Sequence, residues 1–272
     1  MWMTRAGAFA VAATLLASAG AGAQTSPYYL SAGDQNNMSV VQGGTVINQW
    51  TQANNLCCLG EYALAVSGDI RTLANGNQST GLGSQYTLGG VYTGTTYAYP
   101  VSGAAFYDGT TDGTHNYSVD YRNGNVWSMD RNWANASLLF GTGLPSEMGI
   151  TWDPNNTLWT VNFGTGTVSN WTLGGSFLGG FNSGLSGAGS LAMDYADGSL
   201  WMTSQSTLAT LYQYSTSGAF LSTSQGIVGD NYLGGEFDLA AGTTVPEPTS
   251  MALLGTGLVG LIGVLRRRRN TV

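Results

Sequence analysis

Tyr117-Ser118-Val119-Asp120-Tyr121-Arg122-Asn123-Gly124-Asn125-Val126-Trp127 aligns without a gap on Leu191 to Trp201, and Ile150 to Trp159 follows the same order with one residue removed. Each stretch reads apolar, small, apolar, Asp, a turn, then apolar-Trp, which is a strand, a tight turn and a second strand. The aspartates Asp120, Asp153 and Asp194 stand at the turn entry, where a carboxylate accepts backbone N–H groups. Further on, Asn170-Trp171-Thr172-Leu173-Gly174-Gly175 before Phe177-Leu178 corresponds to Gln213 to Gly218 before Phe220-Leu221, and Gln85 to Tyr92 resembles both. The unit returns after roughly 40 to 45 residues, the period of a four-stranded propeller blade.

Unit starts fall near Glu61, His115, Glu147, Gly189 and Glu236. They predict an all-β, five-bladed β-propeller over residues 24–244, with six blades as the alternative. The last start, Gly235 to Ala240, echoes Gly60 to Ala65 and is short of strands. Strand-like runs at Tyr28-Tyr29-Leu30 and Ser39-Val40-Val41 have no start of their own, so the segment from Tyr28 to Trp50 is expected to complete the final blade. Closure of this kind removes the open sheet edges of a solenoid. The resemblance to propeller repeat proteins lies in this pattern.

Composition agrees. Of 272 residues 41 are Gly and 8% are charged, while 11% are aromatic, a mixture suited to short strands and tight turns rather than to disorder. The chain contains no Lys. Between the terminal segments Arg71, Arg122 and Arg131 face fourteen carboxylates, a field that repels nucleic acid and anionic membrane. A neutral sugar, a cation such as calcium, or a basic partner suits it better.

The first 23 residues have a positive charge at Arg5, an apolar stretch from Ala8 to Ala17, and small residues ending Ala21-Gly22-Ala23. This is the pattern of a secretory signal peptide, with signal peptidase as the partner and Gln24 as the mature start. At the other end, in the segment 245–272, Val245-Pro246-Glu247-Pro248 leads into an uncharged apolar span, Thr249 to Leu265, and then into Arg266, Arg267, Arg268 and Arg269. The span has the minimum length of a transmembrane helix, and the prolines separate it from the domain. The Arg run belongs on the cytoplasmic side, which leaves the domain outside.

Pro246, Glu247 and Pro248, the apolar span and the closing Arg cluster together resemble the PEP-CTERM sorting signal of Gram-negative bacteria. Tails of this kind also carry the label ice-binding protein C-terminal domain, although a sorting tail cannot itself confer ice binding. The resemblance implies recognition by an exosortase, a membrane transpeptidase-like enzyme, with cleavage near the tripeptide. The precursor would be anchored in the inner membrane with its domain in the periplasm, then passed to the cell envelope or an exopolysaccharide matrix.

Three further features bear on function. Cys57 and Cys58 are neighbours, about 3.8 Å apart at Cα against the roughly 4.4 to 6.8 Å of ordinary disulfides, so a vicinal bridge between them would be strained. Ordinary thiols, an intermolecular bond and a metal are the alternatives. The single histidine, His115, excludes a two-His metal motif, and no nucleophile-elbow motif occurs. Three of the four Glu, namely Glu61, Glu147 and Glu236, stand at unit starts, where first strands line the central channel. They are candidate calcium ligands; the alternative is that each caps a turn. These features favour a non-catalytic propeller that binds glycan or protein through aromatic and Asn-rich loops, with a metal-dependent lyase or lactonase as the alternative.

Overall fold

The computed structural model describes residues 24–54, 60–74 and 81–242. The signal segment, Cys57, Cys58 and the tail residues Pro246 to Arg269 lie outside these. The chain first forms β1 (Tyr28–Ala32), β2 (Asn37–Gln42) and β3 (Thr45–Thr51). Blade 1 comprises β4 (Glu61–Val66), β5 (Ile70–Ala74), β6 (Leu82–Tyr86) and β7 (Tyr92–Ala98). Blade 2 comprises β8 (Phe106–Thr111), β9 (His115–Asp120), β10 (Asn125–Asp130) and β11 (Ser137–Gly141). Blade 3 is β12 (Glu147–Asp153), β13 (Thr157–Asn162), β14 (Thr167–Thr172) and β15 (Phe177–Asn182), and blade 4 is β16 (Ala188–Asp194), β17 (Ser199–Ser204), β18 (Thr210–Tyr214) and β19 (Phe220–Gln225). The short β20 (Gly234–Phe237) and a helical turn, α1 (Leu239–Gly242), follow.

Each blade is an antiparallel meander, and the fifth has the order β20-β1-β2-β3. Tyr28 pairs with Phe237 and Tyr29 with Glu236, so the N-terminal segment closes the ring against the last strand, as the sequence predicts. The innermost strands β4, β8, β12, β16 and β20 pack in a circle. They are buried on both faces, whereas the outer β3 and β15 alternate towards solvent.

Neighbouring blades are joined by a recurring aromatic series. Trp50, Tyr86 and Tyr92 form one; Phe140, Trp171 and Phe177 a second; Phe181, Tyr214 and Phe220 a third, with successive ring centroids 5.4 to 5.9 Å apart. In each, an aromatic of one blade's outer strand reaches the hairpin of the next. The turn beneath is glycine for that reason: Gly175 and Gly218 have φ +80° and +89°, and a Cβ on them would lie 2.6 and 2.7 Å from Phe140 and Phe181.

One unit start needs correction. Blade 2 begins at Phe106 and not at His115, which opens its second strand. Tyr117 to Trp127 is therefore the β9–β10 hairpin, whereas Ile150 to Trp159 and Leu191 to Trp201 are first hairpins, β12–β13 and β16–β17. The three align because each turn uses the same device. Asp120, Asp153 and Asp194 accept the N–H of Arg122, Asn155 and Ala196 at 3.1, 2.9 and 3.0 Å.

Candidate functional site

Glu61, Glu147 and Glu236 do not converge. The first strands of blades 1 and 3 each carry a register shift, Glu61/Leu64 and Glu147/Gly149, and such a bulge re-aims the residue at the strand start. Glu61 turns into its own blade. Its carboxylate accepts Asn54 N–H at 3.0 Å, Ser84 Oγ and Thr72 Oγ1 at 2.5 Å, and Tyr86 Oη at 2.9 Å. Glu147 occupies the same position in blade 3, 3.4 Å from Asn162 Nδ2. Glu236 comes later along its strand and faces the channel, where Thr151 Oγ1 lies 3.3 Å from Oε2 and Phe237 N–H donates to Oε1 at 3.0 Å. Among the described residues no three His, Cys, Asp or Glu side chains form a metal-holding group. The shared calcium site expected from the repeat is not formed by these three residues.

The channel contains a carboxylate that the repeat pattern did not reveal. Asp108, on β8, accepts N–H from Ile150 at 3.1 Å and Leu191 at 2.8 Å on Oδ2, and from Gly235 at 2.9 Å on Oδ1. One side chain thus ties four of the five inner strands together. Burial pushes it well above the usual carboxylate range against the pull of these donors. Glu236 is raised likewise by burial, and the charge of Asp108 adds to the effect. The clue in the sequence was Asp108-Gly109, a pair poorly suited to strands within a strand-like run.

Both mouths of the channel are covered. Where the inner strands begin, Tyr62, Tyr107, Tyr121 and Phe163 form an edge-to-face series over Met148 and Leu233. Where they end, the Tyr195 ring packs against three hydrophobic clusters and its hydroxyl donates to Trp152 O at 3.3 Å. Burial raises the Tyr195 phenol well above its ordinary value.

Beside Tyr195 a cleft of about 480 Å³ opens between blades 3 and 4, bordered by Asp153, Asn155, Trp159, Asp197 and Thr216. A second recess of about 340 Å³ continues it outward past Asn170 and Gly179. Two first-hairpin turns supply its floor, so the repeat itself places polar turn residues next to the strand Trp. Asp153 is fixed by Trp159 Nε1 at 3.1 Å and Asn155 Nδ2 at 2.8 Å; Asp197 by Ser199 N–H at 2.8 Å and Gln213 Nε2 at 3.2 Å. Oriented acceptors and amides beside aromatic surface suit a neutral, hydroxyl-rich ligand. No basic side chain borders the cleft. His115 stands apart, half-exposed, with Nδ1 3.4 Å from Asp112 Oδ2.

Ring, closure and cleft define a five-bladed β-propeller with an acidic groove at one mouth. A chain of a nidogen/laminin complex is similar in fold, with 12% identity over 79% of this chain and 99% of that one, at a TM-score of 0.55. A glutaminyl cyclase of Myxococcus xanthus matches over 69% of this chain and 76% of its own, with 13% identity and a TM-score of 0.46. An inactive virginiamycin B lyase of Staphylococcus aureus with quinupristin matches over 80% and 74%, with 15% identity and a TM-score of 0.46. At 12% identity the nidogen/laminin likeness is one of fold alone. No curated protein matches the chain. Residues 244–269 match the PEP-CTERM protein-sorting motif, which implies export, exosortase processing and sorting to the cell surface.

Proposed function

We propose that this exported propeller is a non-catalytic binding protein of the cell envelope or exopolysaccharide matrix, and that a neutral glycan lies in the cleft between blades 3 and 4. The observation that supports this reading is the fixed polar border, in which Asp153 and Asp197 are already engaged by protein donors beside Trp159. Carboxylates held in this way orient sugar hydroxyls through their other lone pairs, and the aromatic edges supply apolar contact. The field of fourteen carboxylates against three Arg disfavours acidic polymers.

The test is calorimetric titration of the exported chain with neutral polysaccharide fractions from matrix of the producing bacterium. Asn155 and Asp197 are exposed, so Asn155→Ala with Asp197→Asn should leave folding intact. The double variant should bind about tenfold more weakly, equivalent to about 1.4 kcal/mol. Equal affinity of variant and wild type would move the ligand elsewhere, and binding only to a basic protein at low salt would replace glycan by protein as the partner.

A further inference from the structure

A second group of polar side chains lies at the mouth opposite the cleft, where the ring is closed. The chain passes from β1 to β2 through one three-ten turn, Gly33–Gln35, and the loop that enters β20 packs against that turn. Asn231 joins the two: its N–H donates to Gln35 Oε1 at 3.2 Å and its Nδ2 to Asp34 Oδ2 at 3.3 Å. Asp34 also accepts the Tyr62 hydroxyl, which sets the joint beside the aromatic series of that mouth. The neighbour of Asn231, Asp230, has its carboxyl beside the Asn37 amide and the Tyr232 hydroxyl.

This joint has acceptors and too few donors. Asn36 Oδ1, Asp230 Oδ2 and Asn231 Oδ1 are buried, and no donor among the described residues reaches them. Asp230 as a whole is only 4% exposed. The arginines of the domain are engaged elsewhere, Arg71 and Arg131 on Asp69 and Arg122 on Gly103 O. A buried acceptor without a donor is costly, and a buried carboxylate more so. Three such oxygens on two adjoining segments, with the Asp34 carboxylate at the edge, suit a hard cation, which satisfies several oxygens at once. Burial raises Asp230 above the ordinary carboxylate value, and a bound cation reverses a shift of that kind. Two carboxylates with amide oxygens fit calcium, which accepts roughly six to eight oxygens in flexible geometry, better than magnesium, which demands a near-ideal octahedron.

We propose that Asp34, Asn36, Asp230 and Asn231 hold one calcium ion that clasps the β1–β2 turn to the loop entering β20. The pairing of β1 with β20 ends at Ser31 and Gly234, just short of this joint, so the ion adds one further link to the closure of the ring. Peeling β1 from β20 separates the two segments and releases the ion. Ring closure is then tightened by calcium in the range of extracellular modules, roughly 10⁻⁴ to 10⁻³ M, which the exported domain meets outside the cell. Glycan binding in the cleft, at the other mouth, neither requires this ion nor tests it.

Terbium reports on such a site, because it replaces calcium and its emission is sensitised by nearby tyrosines, here Tyr62 and Tyr232. The exported chain, stripped of divalent ions, should give tyrosine-sensitised terbium emission that added calcium displaces, and calorimetry with calcium should give the affinity. Asp230→Asn should weaken calcium binding by about tenfold or more. Asp34→Asn should do the same, and it is the safer variant for folding, because Asp34 is exposed and the amide still offers an oxygen to Tyr62. Glu147→Gln should bind calcium as the wild type does. At calcium ten times its dissociation constant, exchange of the β1 amides through opening should slow about elevenfold in the wild type and little in Asp34→Asn. Emission that calcium does not displace, or undiminished calcium affinity in both aspartate variants, would overturn the site. Calcium binding without added protection of β1 would overturn the clasp.

Discussion

Blades 1 and 3 open on the same residue in the same geometry, yet the two glutamates meet different surroundings. Glu61 is enclosed by Ser84, Thr72, Tyr86 and the Asn54 N–H, whereas Glu147 has its long contact with Asn162 and a buried Oε2 without a hydrogen-bond partner. The aromatic that follows explains part of the contrast. Tyr86 offers a hydroxyl to Glu61, while its counterpart in blade 3, Trp171, directs its indole N–H to Thr160 Oγ1 at 3.1 Å. A repeat position thus specifies where a side chain points; its partners depend on residues two strands away. The same carboxylate holds one blade together and is a local weakness in the other.

If that contrast is real, removing Glu61 should cost far more than removing Glu147. Glu61→Ala leaves the buried Ser84 and Tyr86 hydroxyls and the part-buried Asn54 N–H without this acceptor and the Thr72 hydroxyl with only the Ser84 carbonyl at 3.2 Å, and the expected loss is about 3 to 5 kcal/mol in denaturant unfolding. Tyr86→Phe removes one donor from the Glu61 carboxylate and one acceptor from the Ala53 N–H, which it engages at 2.7 Å. Its cost should be about 1 to 2 kcal/mol. Glu147→Gln should lie within about 0.5 kcal/mol of wild type, or be stabilising, because a neutral amide is cheaper to bury than a half-partnered carboxylate. A large loss in Glu147→Gln, or a small one in Glu61→Ala, would break the comparison.

The blade count and the closing segment were legible because they depend on hairpin spacing and on an unpaired N-terminal run, both of which survive in one sequence. The phase of blade 2 was not. Its first turn, from Asp112 to Thr114, uses Asp112 to accept the N–H of Thr114 and His115, both at 2.6 Å, so it follows the same chemistry as the turn at Asp120 without the Trp that marks it elsewhere. Every hairpin of a blade can carry the Asp-turn signature, so the signature alone does not say which hairpin it is. That error hid β8 and with it Asp108. The likeness of Glu236 to Glu61 comes from a different source, the echo of Gly60 to Ala65 in Gly235 to Ala240, although only Glu61 precedes a bulge. The cleft was half visible: Trp159 and the Asp turns were recognised as repeat features, but their meeting across two blades depends on the ring.

The smallest effect concerns pH and separates the two glutamates by titration. Burial raises Glu147 above the ordinary carboxylate value, with the neighbouring Thr160 hydroxyl and Asn162 amide only partly opposing it. Glu61 is raised by burial too, against the four groups that hold its charged form. A carboxyl whose folded value exceeds its unfolded value of about 4.3 contributes stability that is fully present below the unfolded value and is lost as pH rises through the folded one. The wild-type domain should accordingly lose stability from these groups as pH climbs out of the acidic range. Glu147→Gln holds that site neutral at every pH, so its stability relative to wild type should improve as pH rises and then level off once wild-type Glu147 is ionised. Unfolding midpoints of both proteins from about pH 4 to 8 measure the difference directly, and the titrations of Asp108 and Glu236, common to both, cancel from it. Parallel curves would mean that Glu147 does not change its charge in this range, and the weakness assigned to blade 3 would then have to come from packing alone.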